Sequence, residues 1–194
     1  MNRKNIDIII LTQAYSAESV PTSGKTELDL GCGKGTFSCA LARLHPDRLI
    51  MASDVMIGRL RKLKKKAEKE NLANLAILRS ESRFLAGILL PDSSIDRIHI
   101  LCPDPWPKDK HESKRLICSE FIGSLSRILK TGGTFHFSTD DTRYFDSVCG
   151  EMGKSGLFQK DDSLIEDIAE IETDFEKNWK KDGRTVQHSA WKRL

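Results

Sequence analysis

Four carboxylates and one glycine run are the residues best placed to do chemistry. Asp29 stands two residues ahead of Gly31-Cys32-Gly33-Lys34-Gly35, Asp54 closes the next apolar run, Glu81 follows the one after, and Asp104 lies between Pro103 and Pro105. A glycine turn between strand and helix lets a ligand approach the backbone and offers it helix N-terminal N–H groups, because no Cβ intervenes. The spacing is G-x-G-x-G. The longer G-x-G-x-x-G closes on a dinucleotide pyrophosphate, whereas the shorter form favours a nucleoside. Asp54, about 20 residues past the loop, stands where this architecture places a carboxylate on ribose hydroxyls. Glu81 suits an adenine amino group, and Asp29 is within reach of a ligand ammonium. Together the three acids fit an adenosine that carries a cationic amino acid, and S-adenosylmethionine is such a molecule. The competing reading of Asp54 and Glu81 is helix N-caps or surface acids.

Downstream, Pro103-Asp104-Pro105-Trp106-Pro107-Lys108 stiffens a loop, since residues before proline are held extended. Asp104 is thereby held with few alternatives, beside a transferable methyl. Trp106 either offers its face to a base or packs the loop down. Lys108, Lys110, Lys114 and Arg115 follow closely and suit a phosphate-rich partner. His111 lies in the same stretch and reads as a contact to that partner or to the loop. His45, His99, His136 and His188 are scattered without the spacing of a metal site. Thr173 and Glu176 also have the spacing of a capping box ahead of a helix.

Alternating strands and helices must hold these groups. Glu27–Leu30 reads as a strand ending at the glycine run, and Phe37, Ala40, Leu41 and Leu44 form the apolar stripe of a helix stopped by Pro46. Residues 48–53 form the next strand, Met56, Leu60, Leu63 and Ala67 mark a second helix, and residues 75–78 a third strand. A strand over Ser94–Leu101, a helix over Ser113–Leu129, a turn at Thr131-Gly132-Gly133 and a strand over Thr134–Ser138 continue the alternation. Such βα repetition requires right-handed crossovers and gives a mostly parallel sheet with helices on both faces. Leu157–Gln159 and Val186–Trp191 read as closing strands around an acidic stretch. Residues 1–22 are less patterned, and residues 23–194 read as one domain.

The chain has 194 residues, 39% of them hydrophobic. That length buries roughly 70% of the unfolded surface, so a core needs neither disulfide nor metal. The five cysteines are odd in number and include no C-x-x-C pair, which argues against a disulfide scaffold or zinc cluster and fits a reducing cytoplasm. No apolar run approaches the roughly 18 residues of a membrane span. The run Ile6–Leu11 is too short for an export signal. The formal charge of +3 averages over opposed blocks. Arg59, Arg61, Lys62, Lys64, Lys65 and Lys66 are cations without an acid among them, whereas residues 161–176 carry acids and no base. Lys177, Lys180, Lys181 and Arg184 add a further basic surface suited to a polyanion.

The runs Leu28-Asp29-Leu30-Gly31-Cys32-Gly33-Lys34-Gly35 and Pro103 to Lys108, the pairs Lys110-His111 and Lys114-Arg115, then Ser138-Thr139-Asp140 and Thr173-Asp174-Phe175-Glu176 resemble, in order and spacing, the tRNA (guanine-N7)-methyltransferases. The resemblance implies an α/β, Rossmann-like class I methyltransferase fold with a mostly parallel seven-stranded sheet, helices on both faces and an antiparallel C-terminal strand. It implies methyl transfer from S-adenosylmethionine to N7 of a variable-loop guanosine in tRNA. The enzyme would be cytoplasmic, a monomer or homodimer, with no metal and no membrane. By the same resemblance Asp29, Gly31, Gly33, Gly35, Asp54, Glu81 and Asp104 would contact the cofactor, and Asp104 would be catalytic. Lys108, Asp140, Thr173, Asp174, Phe175 and Glu176 would bind substrate. The family usually carries Glu at the positions of Asp29 and Asp54 and Asp at that of Glu81, so charge is kept while reach changes by one methylene. Asp109, Glu112 and Ser113 interrupt a stretch that is more basic in the family. Guanine N7 presents a lone pair and no proton, so its methylation needs alignment and placed charge rather than a catalytic His or Cys.

Overall fold

The computed structural model describes residues 7–11, 24–107 and 113–194, so Lys108, Lys110 and His111 lie outside the described residues. The elements begin with β1 (Ile8–Ile10), β2 (Thr26–Leu30), α1 (Thr36–Leu44), β3 (Leu49–Asp54), α2 (Ile57–Lys69) and β4 (Leu75–Arg79). A short turn of helix, α3 (Ser82–Phe84), runs into a π-helical turn over Leu85–Leu89 and is followed by β5 (Ile95–Leu101). Then come α4 (Ser119–Ile128), β6 (Leu129–Thr139), α5 (Thr142–Ser155), β7 (Phe158–Lys160), a 3-10 turn over Asp162–Ile168, α6 (Asp174–Lys181) and β8 (Gln187–Arg193).

The eight strands among the described residues form one sheet in the order β1-β4-β3-β2-β5-β6-β8-β7. Neighbours from β1 to β6 are parallel, and β8 pairs antiparallel with both β6 and β7. The chain winds outward from β2 through β3 to β4, then crosses back to lay β5 on the other side of β2. That reversal opens a crevice beyond the C-terminal ends of β2 and β5, where an open α/β sheet takes its ligand. The expected seven strands are exceeded by one. Ile8–Ile10 pairs with Ile77–Arg79 along what would otherwise be the free edge of β4. Three residues are too few to show alternation, so only the partner edge reveals this strand.

Strand alternation divides the core into two layers. Leu28, Leu30, Met51, Ile98 and Phe137 pack with Leu85, Phe121, Leu125, Tyr144 and Met152, from the π turn, α4 and α5. Ile50, Ala52 and Ile77 face the other way, onto Phe37, Leu41, Leu60, Leu63 and Ala67 of α1 and α2. Two sequence boundaries move. The helix expected from Ser113 starts at Ser119, because residues before it form an extended strap in which Arg115 and Ile117 are buried and the Ile117 N–H donates to the Tyr144 hydroxyl at 3.2 Å. The turn at Thr131-Gly132-Gly133 lies within β6, as a shift in its register with β5.

Gly35 caps α1 in the left-handed region at φ 73°, and a Cβ there would lie 2.2 Å from Leu63 Cδ1. Its place in the glycine run is therefore set by the packing of α1 against α2. Gly35→Ala is expected to cost about 2–4 kcal/mol, from left-handed strain and overpacking together, as read by urea denaturation. Combined with Leu63→Ala, the loss should be smaller than the sum of the single losses. Strict additivity would show that Leu63 is not the neighbour Gly35 makes room for.

Candidate active site

A cleft of about 850 Å³ opens over the strand ends, and Asp29, Gly31, Gly33, Asp54, Glu81 and Asp104 all line it. Asp140, Thr173, Asp174 and Phe175 form part of the same wall. Asp29, one residue before the end of β2, is almost wholly buried and accepts a 2.5 Å hydrogen bond from the Ser38 hydroxyl of α1. Burial, helped by the charge of Asp54, pushes its carboxyl up to about 7 against the pull of Ser38. Asp54 ends β3 and accepts from the N–H groups of Gly33 at 3.1 Å and Met56 at 2.7 Å, with Arg59 3.4 Å away. Its carboxylate thus pins the glycine loop to the start of α2. Glu81 caps α3, accepting from the N–H groups of Arg83 at 2.9 Å and Phe84 at 2.8 Å. The N-cap reading of Glu81 therefore describes the chain as it stands, and the same carboxylate also faces the cleft.

The glycine loop leaves its backbone open to the cleft. Gly31 and Gly33 have φ of 83° and 58°, and a Cβ on either would meet nothing within 4 Å. Open space rather than internal packing therefore borders their backbone. Gly35 differs, being packed on Leu63 and absent from the cleft lining.

The proline loop forms the opposite lip. Cys102 and Trp106 are non-glycine residues in left-handed conformation, with φ of 51° and 45°. The surroundings hold that strain. Cys102 N–H donates to Ser138 O at 2.8 Å, Arg115 Nε to Pro105 O at 3.0 Å, and Arg83 donates to Arg115 O at 2.8 Å. Asp104 is exposed to the cleft and accepts from Trp106 N–H at 3.2 Å. Lys114 sits over the Trp106 ring, 4.7 Å from its centroid.

The remaining wall comes from β6 and α6. Asp140 accepts from Arg184 at 3.0 Å. Thr173 and Glu176 form a reciprocal capping box: Thr173 N–H donates to Glu176 at 2.5 Å, and Glu176 N–H donates to the Thr173 hydroxyl at 3.1 Å. The Glu176 carboxylate is buried, meets His188 Nε2 at 2.7 Å and turns into a neighbouring cavity instead of the cleft. The capping-box reading thus accounts for its side chain, and Thr173, Asp174 and Phe175 supply the cleft surface. Asp174 accepts from the Thr36 hydroxyl at 2.7 Å, tying α6 to the first turn of α1.

Trp179, Arg59 and Arg184 line the cleft from outside the motifs. Trp179 stacks near Phe175, with ring centroids 5.5 Å apart, and Lys34, Arg59, Lys114 and Arg184 bring cations to the rim. Only their membership of basic blocks marked Arg59 and Arg184. The histidines called scattered by sequence spacing come together as well: His99, His136 and His188 are consecutive in space.

A doubly wound sheet that reverses beside a glycine loop, with acids at the strand tips and an antiparallel closing strand, defines a Rossmann-like class I methyltransferase fold. The solved 16S rRNA methyltransferase KamB shares it, with a TM-score of 0.63 over 89% of both chains at 20% identity. The family described as "Putative methyltransferase" matches residues 23–189. The tRNA (guanine-N(7)-)-methyltransferase of Thermotoga maritima is 34% identical over 178 residues, which cover 88% of this chain and 57% of the relative. The corresponding protein of Chlorobium phaeobacteroides is 30% identical over 176 residues, 91% of this chain and 85% of the relative. The chain belongs to the tRNA (guanine-N7)-methyltransferase family. It spans little more than half the length of the Thermotoga relative. Among the described residues, no helix is long and apolar enough to cross a membrane.

Folded Asp29 keeps a proton that the unfolded chain releases near 3.8, so its stabilising effect is complete below about pH 4 and drains away as pH rises through about 7. Relative to wild type, Asp29→Asn should gain stability across that interval, by at most about 4 kcal/mol, with no further gain above it. Urea midpoints measured against pH check this. A difference that does not vary with pH would mean that Asp29 ionises as it does in the unfolded chain.

Proposed function

We propose that this chain methylates N7 of a guanosine in tRNA, the variable-loop guanosine by family resemblance, with S-adenosylmethionine as donor. The observation that carries the reading is the convergence of Asp29, Asp54, Glu81 and Asp104 with bare glycine backbone on one cleft. When bound, S-adenosylmethionine supplies an electrophilic sulfonium methyl. Asp29 meets the ligand ammonium, Asp54 accepts from the ribose hydroxyls and Glu81 from the adenine amine. Gly31 and Gly33 let the ligand lie against the chain. The place of action is the cytoplasm, in keeping with five free cysteines.

Asp104 contributes alignment and charge. Its carboxylate, or that of Asp140, accepts from guanine N1–H and the exocyclic amine, and Lys108 is left for O6 or a phosphate. Adenine offers the opposite edge pattern and is rejected. Holding donor and acceptor in line is worth roughly 7–11 kcal/mol of the barrier, and a fixed carboxylate adds stabilisation as N7 turns cationic. Cations at Lys34, Lys114 and Arg184 around the rim suit the RNA backbone.

Incubation with labelled S-adenosylmethionine and bulk tRNA, followed by nucleoside analysis, tests the reading. Label is expected in 7-methylguanosine, and label in any other nucleoside would overturn the assignment. Asp104→Ala should keep the fold, since the side chain is exposed, while transfer falls about 100- to 1,000-fold. Full activity in that variant would remove Asp104 from the mechanism. Asp29 must also give up its proton as an ammonium arrives. Affinity for S-adenosylmethionine should therefore tighten as pH rises to about 7, by up to about tenfold per pH unit, and level off above. Calorimetric titration at several pH values reads this slope, and a flat profile would detach Asp29 from the ammonium.

A further inference from the structure

A row of polar side chains crosses the sheet beneath α1, outside the chemistry assigned to the cleft. Glu27, His99, His136 and His188 share one sheet face, because His99 pairs with His136 and the others fall at alternate positions of the ladders. Glu27 Oε2 lies 3.0 Å from His99 Nε2, His99 Nδ1 lies 3.0 Å from His136 Nδ1, and His136 Nε2 lies 3.0 Å from His188 Nδ1. The row ends where His188 Nε2 stands 2.7 Å from Glu176 Oε1. Phe37 covers it, with its ring centroid 4.9 Å from that of His99.

These four contacts impose a proton count. Each is a hydrogen bond only if one proton lies between its two atoms. Three neutral imidazoles bring three N–H groups and two carboxylates bring none, so one contact would set two lone pairs face to face. One added proton satisfies the whole row.

Charge decides where that proton rests. At the Glu27 end, Arg48 donates to the carboxylate and Arg97 lies 3.8 Å away, shared with Asp167, so further positive charge is repelled. At the other end a cavity of about 480 Å³ reaches His136 and His188, with Asp162, Glu166, Glu172, Lys180 and Arg184 around it. Lys180 is paired with Glu172, and Asp162 accepts from Ser189 and Ala190. That end is the more negative, and the His188 side chain keeps 35% of its surface exposed where His99 keeps none. Burial holds His99 and His136 below the ordinary imidazole range. Hydrogen bonds from His188 and Thr173 hold Glu176 below the usual carboxylate range against the upward push of burial.

We propose that Glu27, His99, His136, His188 and Glu176 form one relay, which keeps its added proton on His188 and through Glu176 fixes the Thr173–Phe175 wall of the cleft. The three histidines are positioning residues for the RNA side of the cleft, a role that rests on the proposed function. In this arrangement His188 donates to Glu176 and to His136 Nε2, His136 donates through Nδ1 to His99, and His99 donates through Nε2 to Glu27. Loss of the proton leaves His188 one N–H for two acceptors. Either the His136 contact turns repulsive or Glu176 is left with the Thr173 N–H as its remaining donor, and the capping box at the cleft wall loosens.

Nitrogen-15 spectra of the histidine rings in the full chain read this arrangement without any ligand. At the acidic end of a titration over which the fold persists, His188 is expected to be doubly protonated, with His136 carrying its proton on Nδ1 and His99 on Nε2. All three rings should then shift in one shared transition as the proton leaves. Independent transitions, or the opposite tautomer at His136, overturn the relay. Kinetics form the second arm. His188→Gln keeps a donor for Glu176 that does not titrate, so the rise of KM for tRNA on deprotonation should vanish while kcat is preserved. His188→Ala should raise that KM about tenfold at every pH, the loss of one hydrogen bond to a charged group. A His188→Gln profile identical to wild type overturns the positioning role. If tRNA is not methylated at all, the proposed function fails, and the ring spectra still decide the relay.

Discussion

A buried carboxyl at the floor of the cleft, with no cation paired to it among the described residues, is the constraint around which the cleft is organised. Asp29 is 3% exposed, accepts from one hydroxyl and has another carboxylate, Asp54, as a charged neighbour. Desolvation and like charge both oppose its ionisation, so the carboxyl keeps its proton up to about pH 7. Asp54 is occupied differently. Its oxygens are spent on backbone N–H groups that shape the glycine loop, and they remain on the cleft surface. One acid thus stays protonated at the floor of the cleft while the other shapes the glycine loop beside it.

Rigidity on the opposite lip is bought with strain. Left-handed Cys102 and Trp106 each cost about 1–2 kcal/mol, since neither is glycine. Hydrogen bonds from Cys102 to Ser138 and from Arg115 to Pro105, with Arg115 itself buried against the Tyr144 ring at 5.1 Å, offset that cost. The prolines remove alternatives in the unfolded chain, and the strap before α4 removes them in the folded one. Asp104 is therefore held on a backbone fixed from both sides, although its own side chain is exposed.

The parallel core was legible because β2 to β6 are apolar runs, most of them separated by helical stripes; Asp54, Glu81 and Asp104 were legible because each ends or follows such a run, and Asp29 because it lies just ahead of the glycine run. The β1 strand was not, since Ile8–Ile10 has no pattern apart from the β4 edge that receives it. The strap over residues 115–118 reads as helix because its burial depends on Tyr144 and Pro105, which are distant in sequence. The histidine row escaped for another reason. A search for metal spacing looks along the chain, whereas these rings are neighbours across it, through the registers of β5, β6 and β8. The available signal was Glu27 and Asp29, Arg97 and His99, and His136 and Ser138 at alternate positions of strands otherwise built for a buried core. Polar groups repeated on one face of central strands must find partners, and Glu27, His99 and His136, buried from water, find one another.

The signature Thr173 to Glu176 shows how a motif can hold two readings at once. Glu176 is buried as the cap of α6 and as the terminus of the histidine row, so its carboxylate is already satisfied by Thr173 and His188. Because it is satisfied, Thr173, Asp174 and Phe175 are fixed as a surface on the cleft. Asp174 then accepts from Thr36, the first residue of α1 after the glycine loop. The first turn of α1 and the first turn of α6 are in this way hydrogen-bonded directly, so the glycine loop and the far wall cannot shift independently. That contact on one side and the strained proline loop on the other hold the backbone of both cleft walls in place, and fixed walls are what the proposed transfer to a bare lone pair requires.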